Sequence, residues 1–195
     1  MLAAPGLAQV PAPAAQERPD YFGTRAPIAV GYAANAPHSL VGGVAVAFNR
    51  PVRGWGAFID AKGTIGSPAN NANFDGSLTA QEVERDFDFH VEFGRESAWR
   101  GVNVGIVRVL TGQFAGYVGV GVAEEETYQE YWDPDLERGD GGFYWVEDSA
   151  DTGTRVNVQL GGWLHVVDRF LFQFGGELAP RGFTIGVSYV LSDGR

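Results

Sequence analysis

From Thr154 to Leu191, three successive segments alternate apolar and polar residues with a period of two. Val156, Val158, Leu160, Gly162, Leu164 and Val166 fall on one face of the first, against Asn157, Gln159, Gly161, Trp163 and His165. In the second, Phe170, Phe172, Phe174, Gly176 and Leu178 oppose Leu171, Gln173, Gly175 and Glu177. In the third, Phe183, Ile185, Val187, Tyr189 and Leu191 oppose Thr184, Gly186, Ser188 and Val190. The links Val167-Asp168-Arg169 and Ala179-Pro180-Arg181-Gly182 are short enough to make the three strands antiparallel neighbours. A soluble sheet explains one such strand, with its apolar face on a core. Several strands with no helix to cover them, and with glycine crowding the polar face, point to a barrel whose apolar side meets lipid.

The same period places five earlier strands. The first runs from about Ala26 to Ala34, with Ile28, Val30 and Tyr32 opposite Ala29, Gly31 and Ala33. In the second, Leu40, Val44, Val46 and Phe48 alternate with Val41, Gly43, Ala45 and Ala47 and are expected outside. The third sets Trp55, Ala57, Ile59 and Ala61 against Phe58, Asp60, Lys62 and Thr64. The fourth, Trp99 to Leu110, presents Val102, Val104 and Ile106 outward and Gly101, Asn103 and Gly105 inward, with Arg108 outward near the rim. The fifth begins at Phe114 and continues past Ala123 into acidic but still strand-forming residues. Eight strands result, and their links alternate in length. Those at 50–54, 111–113 and 167–169 fall on one rim with both chain ends; the long segments 66–98 and 124–153 fall on the other. Short turns on one side and long loops on the other are the habit of outer-membrane barrels. The octet 86–93 also alternates and is assigned to the outer loop or to an extension of the ladder above the membrane.

At 195 residues the chain forms one domain, read as barrel over 26–195. Residues 1–25 are set apart as a signal-peptide remnant or a disordered tail, Gly6-Leu7-Ala8 having the small-x-small form of a cleavage site. The 28 glycines suit tight turns and the crowded inner wall of a small barrel. With no cysteine, disulfides and cysteine-built metal sites are excluded. A net charge of -10 excludes nucleic acid, since no basic patch can displace counterions from phosphates.

In pattern, residues 26 to 191 resemble the small eight-stranded barrels of the OmpA/OmpX-like superfamily of Gram-negative outer membranes. The resemblance rests on closed strands of about ten residues, the terminal run Gly182 to Leu191 and the loop order. It implies an all-β, eight-stranded antiparallel up-and-down transmembrane barrel in the bacterial outer membrane, monomeric, held among membrane lipids and lipopolysaccharide and inserted by the outer-membrane assembly machinery. The family tends to end on an aromatic residue, whereas Ser192-Asp193-Gly194-Arg195 follow Leu191 here.

Candidate chemistry is sparse. An eight-stranded interior is just wide enough for side chains to fill. Asp60, Lys62, Asn103, Tyr117, Asn157, Gln159, Trp163, His165, Gln173 and Glu177 are therefore expected to form a packed polar network, Lys62 neutralising Asp60 or Glu177. Phe48, Trp55, Phe114, Phe170 and Tyr189 are expected to form an interfacial girdle on the short-turn rim. The acidic residues concentrate in the loops, seven between 66 and 98 and eleven between 123 and 152, most of the 24 in the chain. Of these, Glu124, Glu125, Glu126, Asp133, Asp135, Glu137 and Asp140 offer hard oxygen ligands for Ca²⁺, without EF-hand spacing. His90 with Ser97 and Glu92 is the one hydrolase-like grouping of the sequence, and an exposed loop histidine is the expected outcome. The reading is a non-enzymatic barrel without cofactor, with a structural or surface-interaction role. Its rivals are a soluble lipocalin-like carrier, which needs the apolar wall inside, and a narrow pore.

Overall fold

The computed structural model describes residues 22, 28–49, 54–87, 90–167 and 169–192. In chain order its elements are β1 (Ile28–Ala36), β2 (Leu40–Asn49), β3 (Trp55–Thr64), β4 (Phe74–Thr79), α1 (Ala80–Asp86), β5 (Val91–Thr111), β6 (Phe114–Trp132), β7 (Phe143–Glu147), β8 (Gly153–Val167), β9 (Phe170–Leu178) and β10 (Arg181–Ser192), with a single 3₁₀ turn at Pro68–Asn70. The sheet runs β4-β7-β6-β5-β3-β2-β1-β10-β9-β8, and β6 pairs in turn with β8. That pairing closes β1, β2, β3, β5, β6, β8, β9 and β10 into an eight-stranded antiparallel barrel, as the strand pattern predicts. Short β4 and β7 stand outside the ring.

The barrel is apolar outside and polar within. Val120, Leu160, Phe183 and Ile185 are exposed, while Asp60, Asn103, Gln159, Gln173 and Ser188 are no more than 1% exposed. A carrier with its apolar wall inside is therefore not what this chain builds.

One strand reverses its expected faces. Leu40, Val44, Val46 and Phe48 of β2 are buried in the lumen, not lipid-facing. Both faces of β2 are apolar, so alternation alone cannot tell inside from outside. Registry decides it: Val44 lies opposite Asp60 and Val46 opposite Phe58, and directly paired residues share a face. Phe48 thus leaves the girdle. Its ring packs 4.8 Å from that of Phe22, a residue inside the stretch set apart from the fold that is only 3% exposed. The rest of residues 1–25, with its cleavage-site reading, lies outside the described residues.

Three layers of side chains fill the lumen. Nearest the short-turn rim, Phe22, Phe48, Phe58, Tyr117, Trp163 and Leu171 form an apolar plug. Phe58 sits edge-on to Tyr117 and Trp163, at 5.0 and 5.3 Å. Inward glycines make room for these rings: a Cβ at Gly105 or Gly119 would overlap Phe58, and one at Gly161 or Gly175 the Tyr117 hydroxyl. The polar layer follows, and Leu40, Trp99, Ala123 and Ala179 close the long-loop end. The lumen is a plug, not an open channel.

β5 and β6 overrun the barrel. β5 has 21 residues, about 70 Å of strand, where roughly ten suffice to span. Val91–Trp99 extend beyond the last pairing of β5 with β3, and with β6, β7 and β4 they form a four-stranded protruding sheet. The octet 86–93 therefore belongs partly to the extended ladder, with Asp88 and Phe89 outside the described residues.

Gly105→Leu is expected to lower stability by about 1–3 kcal/mol by displacing the Phe58 ring. The urea midpoint in detergent micelles, followed by heat-modifiable gel migration, measures this.

Candidate functional site

The lumen network is built by facing strands that lay polar residues at neighbouring levels, Asp60 and Lys62 from β3, Asn103 from β5, Asn157 and Gln159 from β8, and Glu177 from β9. Asp60 of β3 accepts from Asn103 Nδ2 at 2.7 Å and from Gln159 Nε2 at 2.9 Å. Lys62 pairs with Glu177 and stands 3.4 Å from the second Asp60 oxygen, its side chain 1% exposed. Asn157 donates to Asn103 Oδ1 at 3.0 Å and to Glu177 at 3.2 Å, and its own oxygen accepts from the Leu178 and Ala179 amides. Gln173 donates to the Tyr117 hydroxyl at 3.3 Å. Thr184, absent from the predicted set, donates to Glu177. Of the ten predicted members, Trp163 belongs to the apolar plug, and His165, only partly buried, lies at the short-turn end, paired with Leu171. Of the remaining eight, Asp60, Lys62, Asn103, Asn157, Gln159 and Glu177 join one network, while Gln173 bonds the hydroxyl of Tyr117, whose ring lies in the plug.

Lys62 thus meets both of its predicted partners rather than one. Such a layer stabilises weakly while intact, but removing one charge is costly, because the other is left buried without compensation.

On the outer wall lie four of the five residues assigned to the girdle, Trp55, Phe114, Phe170 and Tyr189. Trp55 lies under the Arg108 guanidinium at 4.8 Å, Phe170 sits edge-on to Tyr189 at 5.5 Å, and Phe114 stacks on Phe174 at 6.0 Å. Arg108 points outward, as its register requires.

The acidic loop residues do not converge. Among the described residues, no group of three His, Cys, Asp or Glu side chains could hold a metal ion. Arg100 takes Glu124 at 2.7 Å and Glu126 at 2.9 Å, and Arg155, over the Trp99 ring, takes Glu125. Asp133 serves its own loop by accepting from the amides of Asp135, Glu137 and Arg138. Asp135, Glu137 and Asp140 are exposed. The Ca²⁺ expectation finds no site in this arrangement.

The protruding sheet has two unlike faces. On the face that continues the lumen wall, α1 covers Tyr131, Tyr144 and Val146 with Ala80 and Val83. This helix was missed in the sequence, though Thr79-Ala80-Gln81-Glu82 has the form of a capping box. Glu82 indeed accepts from the Thr79 amide at 2.8 Å and from its hydroxyl at 2.9 Å. Asp148, also missed, ties the face together. Buried, it accepts from Gln81 of α1 at 2.6 Å, Arg95 of β5 at 2.8 Å and Gln129 of β6 at 2.9 Å. His90 does not meet Ser97 or Glu92: its Nδ1 lies 2.6 Å from the Tyr144 hydroxyl and its Nε2 3.4 Å from Asp133. Burial works against an ionised Asp133, but the three loop amides and His90 outweigh it and hold the carboxyl below its ordinary range. Burial likewise pushes the Tyr144 hydroxyl up to about 12.

The opposite face, which continues the outer wall of the barrel, is not covered by α1. Along its border, Val91–Ala98 of β5 pair only with β6 among the described residues. A row of backbone groups is left open there.

No protein-family model and no curated protein matches this sequence. Among solved structures, the chain is similar to Ail, the attachment invasion locus protein of Yersinia pestis. The structure of Ail with the heparin analogue sucrose octasulfate aligns at a TM-score of 0.47 and 12% identity, over 86% of this chain and 98% of that one. A second Ail structure gives 0.46 and 12%, over 86% and 99%. The assignment as a closed eight-stranded barrel rests on the strand pairing of this chain itself.

Lys62→Met is expected to cost about 3–5 kcal/mol, and Lys62→Met with Glu177→Gln less than the single change, both read from urea midpoints in micelles. Because the Asp133 carboxyl is held low, its stabilisation of the loop is full above the ordinary carboxylate value and is lost as pH falls through the lowered one. Fluorescence of the neighbouring Trp132 and Trp145 should shift over that acid range in the native chain and not in Asp133→Asn.

Proposed function

We propose that this protein is an integral barrel of the bacterial outer membrane whose protruding sheet docks an extracellular protein. The observation that carries this reading is the one-sided pairing of Val91–Ala98, above a wall that is apolar all round. Strand edges left open are templates for another chain, and natural proteins usually blunt or cover them. Here the edge belongs to a sheet braced by α1 and Asp148, so it is presented in a fixed shape at little ordering cost. Lipid and lipopolysaccharide surround the apolar wall in this reading, the assembly machinery inserts the chain, and the barrel works as a monomer.

The role is binding rather than catalysis. Both ring nitrogens of His90 are directed at Tyr144 and Asp133, and neither serves a hydroxyl nucleophile of the kind acyl transfer needs.

Expressed with a signal peptide in a Gram-negative host, the chain is expected to fractionate with outer membranes and to migrate in a heat-modifiable way. Recovery as a soluble monomer without detergent would overturn the membrane reading. A strand-forming peptide should bind the barrel in micelles, and the same peptide N-methylated at alternate residues should lose that binding, because it cannot complete the ladder. Equal binding by both would overturn docking at the edge.

A further inference from the structure

The face of the protruding sheet opposite α1, covered by Phe74 at Tyr128 and open toward Trp132, carries a second level of specificity, which rests on the docking role proposed above. Beyond Val122 the lipid-side positions of β6 turn first to charge, Glu124 and Glu126 held by Arg100, and then to rings. Trp132 stands about 30 Å along the strand from Val122, too far to belong to a membrane girdle. Trp132 and Phe143 are paired, as are Glu130 and Trp145, so all four share the face. Phe93, at the irregularity between Glu92 and Gly94, is 60% exposed and sits edge-on to Phe143 at 5.1 Å.

Next to it, Gly94 opens a slot. A Cβ there would stand 3.6 Å from Glu130 Oε2 and 4.0 Å from the Trp145 ring, so the missing side chain leaves a ring and a carboxylate side by side. The nearby arginines are engaged elsewhere, Arg95 with Asp148 and Asp151, Arg100 with Glu124 and Glu126, Arg138 with Asp75. Glu130 and Glu96 make no hydrogen bond or ion pair among the described residues. An aromatic face beside a free carboxylate attracts a cation twice, through the ring quadrupole and through charge. It repels the phosphates of lipopolysaccharide.

We infer that this face takes a Lys or Arg side chain, seated in the slot over Gly94 between Trp145 and Glu130. It is carried by an extended basic segment of a partner protein lying along the open edge of β5. Specificity comes from the slot, and register from the edge.

Three peptides of one alternating Val/Thr pattern, carrying Lys and Arg, Gln, or Glu at the variable positions, test this on the folded barrel in nanodiscs. The basic peptide is expected to bind about tenfold more tightly than the Gln peptide, with the advantage shrinking as salt rises. Glu130→Gln should erase that advantage while leaving heat-modifiable migration and Gln-peptide binding intact. Equal affinity for the basic and Gln peptides overturns the cation slot and leaves docking at the edge standing. Binding by none of the three overturns both. Quenching of Trp145 and Trp132 by brominated lipid without peptide would place the face in the bilayer and overturn the slot.

Discussion

Every backbone N–H and C=O within a hydrocarbon layer must find a partner inside the protein, and a sheet achieves this only by leaving no edge. The pairing of β6 with β8 is what closes this ring. The rest follows from closure. A ring of eight strands has an interior too narrow to stay open and too wide to vanish, so it must be filled by its own side chains. Filling it with apolar groups throughout would erase the difference between the two faces of each strand and loosen the register. The chain instead stacks an aromatic plug, a hydrogen-bonded layer around Asp60, Lys62 and Glu177, and a cap at Trp99.

The buried charges also explain how strand register is held. Lys62 of β3 and Glu177 of β9 come from opposite parts of the ring, yet they meet only if the intervening strands keep their offsets. A slip of one residue anywhere between them would turn one of the two to the outer face of the barrel. The polar layer thus acts as a key to alignment more than as a source of stability.

How far this could be read from the sequence depended on contrast between faces. Where one set of residues is polar or glycine and the other large and apolar, as in β8, β9 and β10, period two separated the two faces cleanly, while which of them turns inward was settled by burial in the closed barrel. In β2 both faces are apolar, so Phe48 looked as suited to lipid as to the core, and only its partner strand decided the matter. The lumen residues were found because burying them demands partners, but Thr184 was overlooked, since a lone threonine on a strand looks ordinary. Beyond the closed barrel the pattern faded. The capping box at Thr79 was a usable sign of α1, whereas Asp148 gave none, because its three donors are 19, 53 and 67 residues away. The acidic run suggested cation binding by composition, and arginines distant in sequence were what neutralised it.

β5 and β6 run unbroken from the short-turn rim to the far end of the protruding sheet. A pull on that sheet therefore runs along two strands that are also barrel staves. Load applied along the strand axis falls on the whole ladder of transverse hydrogen bonds at once, in shear, instead of opening them one after another. The architecture that displays the edge is also a mechanical anchor, and tension along the protruding sheet passes directly into the wall of the closed barrel.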